Sequence, residues 1–201
     1  MAARGIFNAL AMLAYFLALG LIPLSEISAL TFTVPLFVAL LAVLFLGERL
    51  GPRRIASLAI GFSGALIILR PGVAVIDVGA IYALFSAATW AVAIIIIKHL
   101  SRTDSSVTIT IYGLFFLVIF TLLPAYFVWK WPTGEQFLWL ITLAAAGTAG
   151  QLLFAQSMKN ADATLVMPFD FTKLIWASLF GFLLFSEIPT IWTICGGTII
   201  F

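Results

Sequence analysis

Residues 168–187 read PFDFTKLIWASLFGFLLFSE. Most of the stretch is apolar enough for a lipid bilayer, yet Asp170 and Lys173 lie inside it, three residues apart. Residues at that spacing share a helix face, so acid and base are placed to meet. Lys173 falls close to the middle of the apolar span read around it, residues 163–186. A charge at a helix centre costs about 2.5–3.5 kcal/mol to insert, so two unpaired charges would cost roughly 5–7 kcal/mol. They are therefore expected to face the bundle interior or a water-filled cavity. One use is a structural ion pair. Another is presentation of Lys173 to an anionic or carbonyl-bearing substrate, and a third is proton coupling through Asp170. A paired lysine can still bind. Pro168 frees a backbone carbonyl near the helix start, a break tolerated where it lines a cavity.

The rest of the chain shares this apolar character. Of 201 residues, 64% are hydrophobic and 9% charged, with a mean hydropathy of +1.22. A soluble domain has about 45–50% apolar and about 25% charged residues, so a water-soluble globule is excluded. The net charge of +2 supports no nucleic-acid partner. One cysteine, Cys195, and one histidine, His99, build neither an internal disulfide nor a metal site. No cofactor is expected.

Spans need roughly 20 apolar residues. Eight are read, at about 5–23, 27–47, 54–70, 78–98, 107–129, 136–157, 163–186 and 190–201. Short charged or Gly/Pro-bearing connectors join them. Alternating sides, Arg4, Arg49, Arg53, Arg54, Lys98, Arg102 and Lys159 fall on one side and Arg70 and Lys130 on the other. Seven against two places the first side in the cytoplasm. Trp129, Trp131 and Trp192 sit near span ends, as an interfacial belt requires. The small-residue run AAAGTAG, residues 144–150, is expected to let helices approach closely. The last span has too few apolar residues to cross and the first begins almost at Met1, so a fragment of a longer chain is expected.

Sliding the chain by 139 residues brings Phe32-Thr33 onto Phe171-Thr172 and Glu48 onto Glu187, each Glu ending a long apolar run. The offset spans five of the expected helices, an odd number, so the second copy would be inverted. Inverted repeats are frequent in secondary transporters, with the site between the copies.

Two longer segments carry a family resemblance. In residues 25–72, Pro35 precedes an apolar run, Gly47-Glu48-Arg49 follows, and Gly61 and Gly64 space the next helix. Residues 161–193, ADATLVMPFDFTKLIWASLFGFLLFSEIPTIWT, match the second half of the same pattern. The chain resembles an EamA-type member of the drug/metabolite transporter superfamily, on the branch that takes up S-adenosylmethionine or riboflavin. The resemblance implies an all-α integral membrane bundle of two inverted five-helix repeats. Eight spans are present here, the last incomplete, and the family's first two helices are absent. Residues 1–70 would be the C-terminal part of the first repeat and 71–201 the truncated second repeat.

Further candidates for a substrate cavity are Gln151, Trp90, Tyr15 and Asn8. Asn8 and Tyr15 are seven apart and share a face, and Ser86 and Trp90 are four apart. Each could equally serve an interhelical hydrogen bond, worth on average about 0.6 kcal/mol. Glu48, beside Arg49, Arg53 and Arg54, reads as an interfacial charge cluster, and His99 as solvated.

The expected function is secondary transport of a small organic metabolite across the bacterial inner membrane by alternating access. The expected partners are a small-molecule substrate and membrane lipid, with monomer and homodimer both left open. Drug or metabolite export and a truncated, non-transporting membrane protein are the alternatives. No GxxxxGK[ST] occurs, so the chain does not hydrolyse ATP by that motif. A lipid-acting membrane enzyme is disfavoured by the single histidine, the lack of GxSxG and the lack of an intramembrane acid pair.

Overall fold

A computed structural model of the chain describes residues 1–22, 27, 30–69, 78–185 and 191–200. The described residues form an all-α, multi-pass bundle. Among the described residues four helices are long and apolar enough to cross a membrane: Ala2–Leu19, Val78–Leu100, Ser106–Val128 and Gly134–Asn160.

The expectation of eight spans in inverted five-helix repeats is therefore corrected. The expected span 27–47 contains a helix of eight residues, Val34–Leu41, that widens into a π turn, Ala42–Leu46. Gly47 then ends it with φ 67°, a left-handed conformation that glycine adopts without a Cβ clash. Pro52–Leu69 starts on a proline followed by Arg53 and Arg54. The expected span 163–186 is in three pieces: a turn at Ala163–Val166, a 3₁₀ segment Met167–Thr172, and an α-helix Lys173–Phe185. The last helix is Ile191–Ile200, ten residues. Hydropathy counts apolar residues and does not register where the backbone changes course, as it does at the turn of residues 32–33 and in the 3₁₀ segment around Pro168. Glu187 and Arg70, used in the repeat and the orientation, lie outside the described residues.

Close packing begins with the first helix. Its buried face is made of Gly5, Ala9, Ala11, Ala14 and Ala18, and it packs mainly on Val78–Leu100 and Ser106–Val128. The opposing Ala83, Ala87 and Ala91 recur every four residues. Small residues let helix backbones approach. At Gly5 a Cβ would overlap Phe116, and at Gly61 it would overlap the Phe171 ring. The AAAGTAG run behaves otherwise: nothing lies within 4 Å of a Cβ built at Gly147 or Gly150. On the Gly134–Asn160 helix the buried residues are Ala155 and Met158, near its C-terminal end.

One apolar core joins Val38, Ile94, Ile109, Met158 and Met167 from five elements. A second joins Phe32, Ala39, Leu58, Ala65 and Phe171. Phe32 and Phe171, the pair matched by the 139-residue shift, stack on each other with centroids 5.8 Å apart.

The connectors after residues 46, 100 and 160 meet at one end of the bundle. There Glu48 accepts from the backbone N–H of Ala163 and Thr164, both at 2.9 Å, and from the Thr164 hydroxyl at 2.7 Å. Arg54 pairs with Asp162 at 2.9 Å and donates to Thr164 at 2.6 Å. Glu48 is thus the cap of a helix start as well as a member of a charge cluster. Two of the basic residues expected in loops are interior instead. Lys98 is buried and donates to the carbonyls of Met158 and Ala161 at 2.8 and 2.6 Å, and Arg4 is buried in the bundle.

Candidate functional site

The first helix presents Asn8, Ala11, Met12 and Tyr15 on one stripe, at i, i+3, i+4 and i+7. Val78–Leu100 presents Ser86, Ala87, Trp90 and Ile94. Gln151 and Phe154 come from Gly134–Asn160, and Leu114 and Leu117 from Ser106–Val128. Thr31, Val34, Met167, Asp170 and Lys173 complete the wall of one cavity of about 520 Å³. All six side chains singled out in the sequence, Asn8, Tyr15, Trp90, Gln151, Asp170 and Lys173, line it.

Lys173 is the first residue of its helix, not its midpoint, and Asp170 belongs to the preceding 3₁₀ segment. The i,i+3 spacing still brings them together, with Lys173 Nζ donating to Asp170 Oδ2 at 2.7 Å. Their side chains are 52% and 30% exposed, so both ends of the pair remain reachable from the cavity. Lys173 Nζ also stands 4.8 Å from the centroid of the Phe32 ring, within cation–π range. The break around Pro168 thus sets a charged pair at the cavity wall.

Asn8 and Ser86 are buried, and Tyr15, Trp90 and Gln151 are partly buried. Ser86 spends its hydroxyl on the Ala11 carbonyl at 2.7 Å, an interhelical bond. Gln151 accepts from Arg4 at 3.2 Å. Arg4 was not among the expected site residues. An arginine four positions into an apolar run looks like a membrane-edge charge, and only its neighbours in space, Ile109, Gly113 and Gln151, show otherwise. Below this layer Ser106 donates to Gln156 at 2.7 Å.

The wall offers rings, amides and one acid–base pair, which suits binding of a polar organic molecule. Among the described residues no group of three or more His, Cys, Asp or Glu is placed to hold a metal.

The sequence model of the EamA-like transporter family matches residues 1–70 and 77–201. The chain belongs to that family of multi-pass membrane transporters, which fits the bacterial inner membrane and is not a family of enzymes. Its relatives include a riboflavin transporter of Vibrio cholerae, 34% identical over 84% of this chain and 57% of that protein. A pseudopaline exporter of Pseudomonas aeruginosa is 32% identical over 98% of this chain and 70% of the exporter. An S-adenosylmethionine uptake transporter of Rickettsia felis is 25% identical over 98% of this chain and 67% of the transporter. The chain spans a little over half the length of the riboflavin transporter, 57%. A solved crystal structure superposes with a TM-score of 0.83 at 21% identity, covering 99% of this chain and 72% of the other, and shares the fold.

Proposed function

We propose that the chain is the membrane-embedded body of a secondary transporter that moves a small polar organic metabolite bearing a planar ring, by alternating access. The observation that carries this reading is the cavity. Its volume of about 520 Å³ lies within the range of small-ligand sites, about 300–1,000 Å³. Tyr15, Trp90 and Phe154 supply ring faces, Asn8 and Gln151 amides, and Asp170–Lys173 both signs of charge. Such a mixture binds a ring by stacking and its heteroatoms by hydrogen bonds. Riboflavin and S-adenosylmethionine, the substrates named for two relatives, both combine a planar heterocycle with a polar chain. Without a nucleotide-binding motif, an ion gradient or exchange would drive the movement.

The test is uptake of labelled riboflavin and S-adenosylmethionine into vesicles carrying the purified chain. Saturable uptake of one probe, accelerated by the same unlabelled compound inside, is expected of an alternating-access carrier. Vesicles with verified protein that accumulate neither probe above empty vesicles would overturn the reading. Export is the second reading, favoured by the 32% identity to the pseudopaline exporter. Loss of a preloaded probe through right-side-out vesicles would distinguish it.

A further inference from the structure

Arg4 is 2% exposed, and its Nη1 donates to the carbonyl of Ile109. Ile109 lies four residues before Gly113, so within the Ser106–Val128 helix this carbonyl already faces the Gly113 N–H. The guanidinium reaches the carbonyl's second lone pair because Gly113 has no side chain. A Cβ there would overlap Arg4 Nη1 and Cζ. Among the described residues no carboxylate pairs with Arg4. Its remaining partner is Gln151 Oε1, at 3.2 Å.

Guanidinium has donors only. Gln151 must therefore turn its carbonyl oxygen to Arg4 and its N–H₂ away. No described residue accepts from that N–H₂, and Gln151 lines the cavity. We propose that Arg4 is a positioning residue: it holds Gln151 with the amide N–H₂ turned into the cavity, so that this wall reads a hydrogen-bond acceptor on the transported molecule. The substrate class is one bearing a carbonyl or carboxylate oxygen where it meets Gln151. The inference rests on the cavity being the substrate site.

The test has two arms, both on the full chain in lipid nanodiscs. In the first, glutamine is ¹⁵N-labelled; the chain has three glutamines, Gln136, Gln151 and Gln156, and the variant Gln151→Leu identifies the Gln151 side-chain signal. A rigid, well-separated pair of amide protons is expected, collapsing to an averaged, mobile signal in Arg4→Met. An unchanged Gln151 signal in a folded Arg4→Met protein would overturn the proposal. In the second arm riboflavin binding is followed by its own fluorescence. Gln151→Glu keeps a partner for Arg4 and removes the N–H₂, so it should stay folded yet bind about tenfold more weakly. Arg4→Met should also weaken binding, and Arg4→Met with Gln151→Leu should be no weaker than Gln151→Leu alone, since Arg4 acts through Gln151. Unaltered binding by Gln151→Glu, or additive losses in the double variant, would overturn it. If the first arm behaves as expected and the unmodified chain binds no riboflavin, the choice of probe in the proposed function fails while the positioning role stands.

Discussion

At the scale of single residues, the cavity is built from side chains that an apolar helix carries only at a cost. Asp170 and Lys173 were legible for that reason: a charge inside a bilayer-grade run must find water, a partner or a ligand. Their pair at 2.7 Å supplies the partner, and their place on the cavity wall puts both where water or a ligand would meet them. Lys173→Met keeps side-chain length and removes the charge. It is expected to lower riboflavin uptake by about tenfold or more, on the scale of one lost charge-assisted hydrogen bond, with membrane abundance unchanged. Uptake at the native rate would remove Lys173 from the substrate site, and loss of folded protein would make the pair structural. Arg4 was not legible, because a basic residue near the end of an apolar run satisfies the positive-inside pattern wherever its side chain points. What gives it a role is Gly113 and Gln151, 109 and 147 positions away in the chain, and one sequence carries no distance information at that range.

At the scale of elements, breaks matter as much as helices. The left-handed Gly47 stops a π turn and delivers Glu48 to the N–H groups of Ala163 and Thr164. The next turns, through Pro168, then deliver Asp170 to the cavity. Glu48→Ala leaves those two N–H groups and the Thr164 hydroxyl without their acceptor. It should destabilise the fold by about 2 kcal/mol, read as a lower midpoint in a denaturant or thermal unfolding series, with Glu48→Gln losing less. An unchanged midpoint for Glu48→Ala would show that the cap is dispensable. Gly61→Leu forces a side chain into the space of the Phe171 ring and, as overpacking, should cost about 1–3 kcal/mol. Gly147→Leu, where a Cβ meets nothing within 4 Å, should be near neutral in the same series. Hydropathy located the long helices because twenty apolar residues in a row have few alternatives. It merged broken elements into spans because a 3₁₀ or π turn leaves composition untouched, and small-residue content alone pointed to AAAGTAG, whereas the close approaches fall at Gly5, Gly61 and Gly113.

At the scale of the whole molecule, six separate parts of the chain converge on one cavity, and a separate charged pocket is built by Glu48, Arg54, Lys98 and Asp162. The all-helical, membrane-embedded character follows from composition alone. The convergence follows from packing of the small-residue faces of the first helix and Val78–Leu100, which sets Asn8 and Tyr15 against Ser86 and Trp90. On the proposed reading this cavity, not the apolar exterior, meets water and the transported molecule. Met12 lines the cavity, whereas Phe115, 57% exposed and near the middle of the Ser106–Val128 helix, lies on its exterior. The most direct measurement places a single cysteine at either position in a Cys195→Ser background and follows its reaction with a water-soluble maleimide in membranes. A thiol ionises and reacts where water reaches it. Met12→Cys should react, and riboflavin or S-adenosylmethionine should slow it, while Phe115→Cys stays unreactive. A cysteine at Met12 that does not react, or that reacts at the same rate with either compound present at saturation, would contradict a substrate-filled cavity.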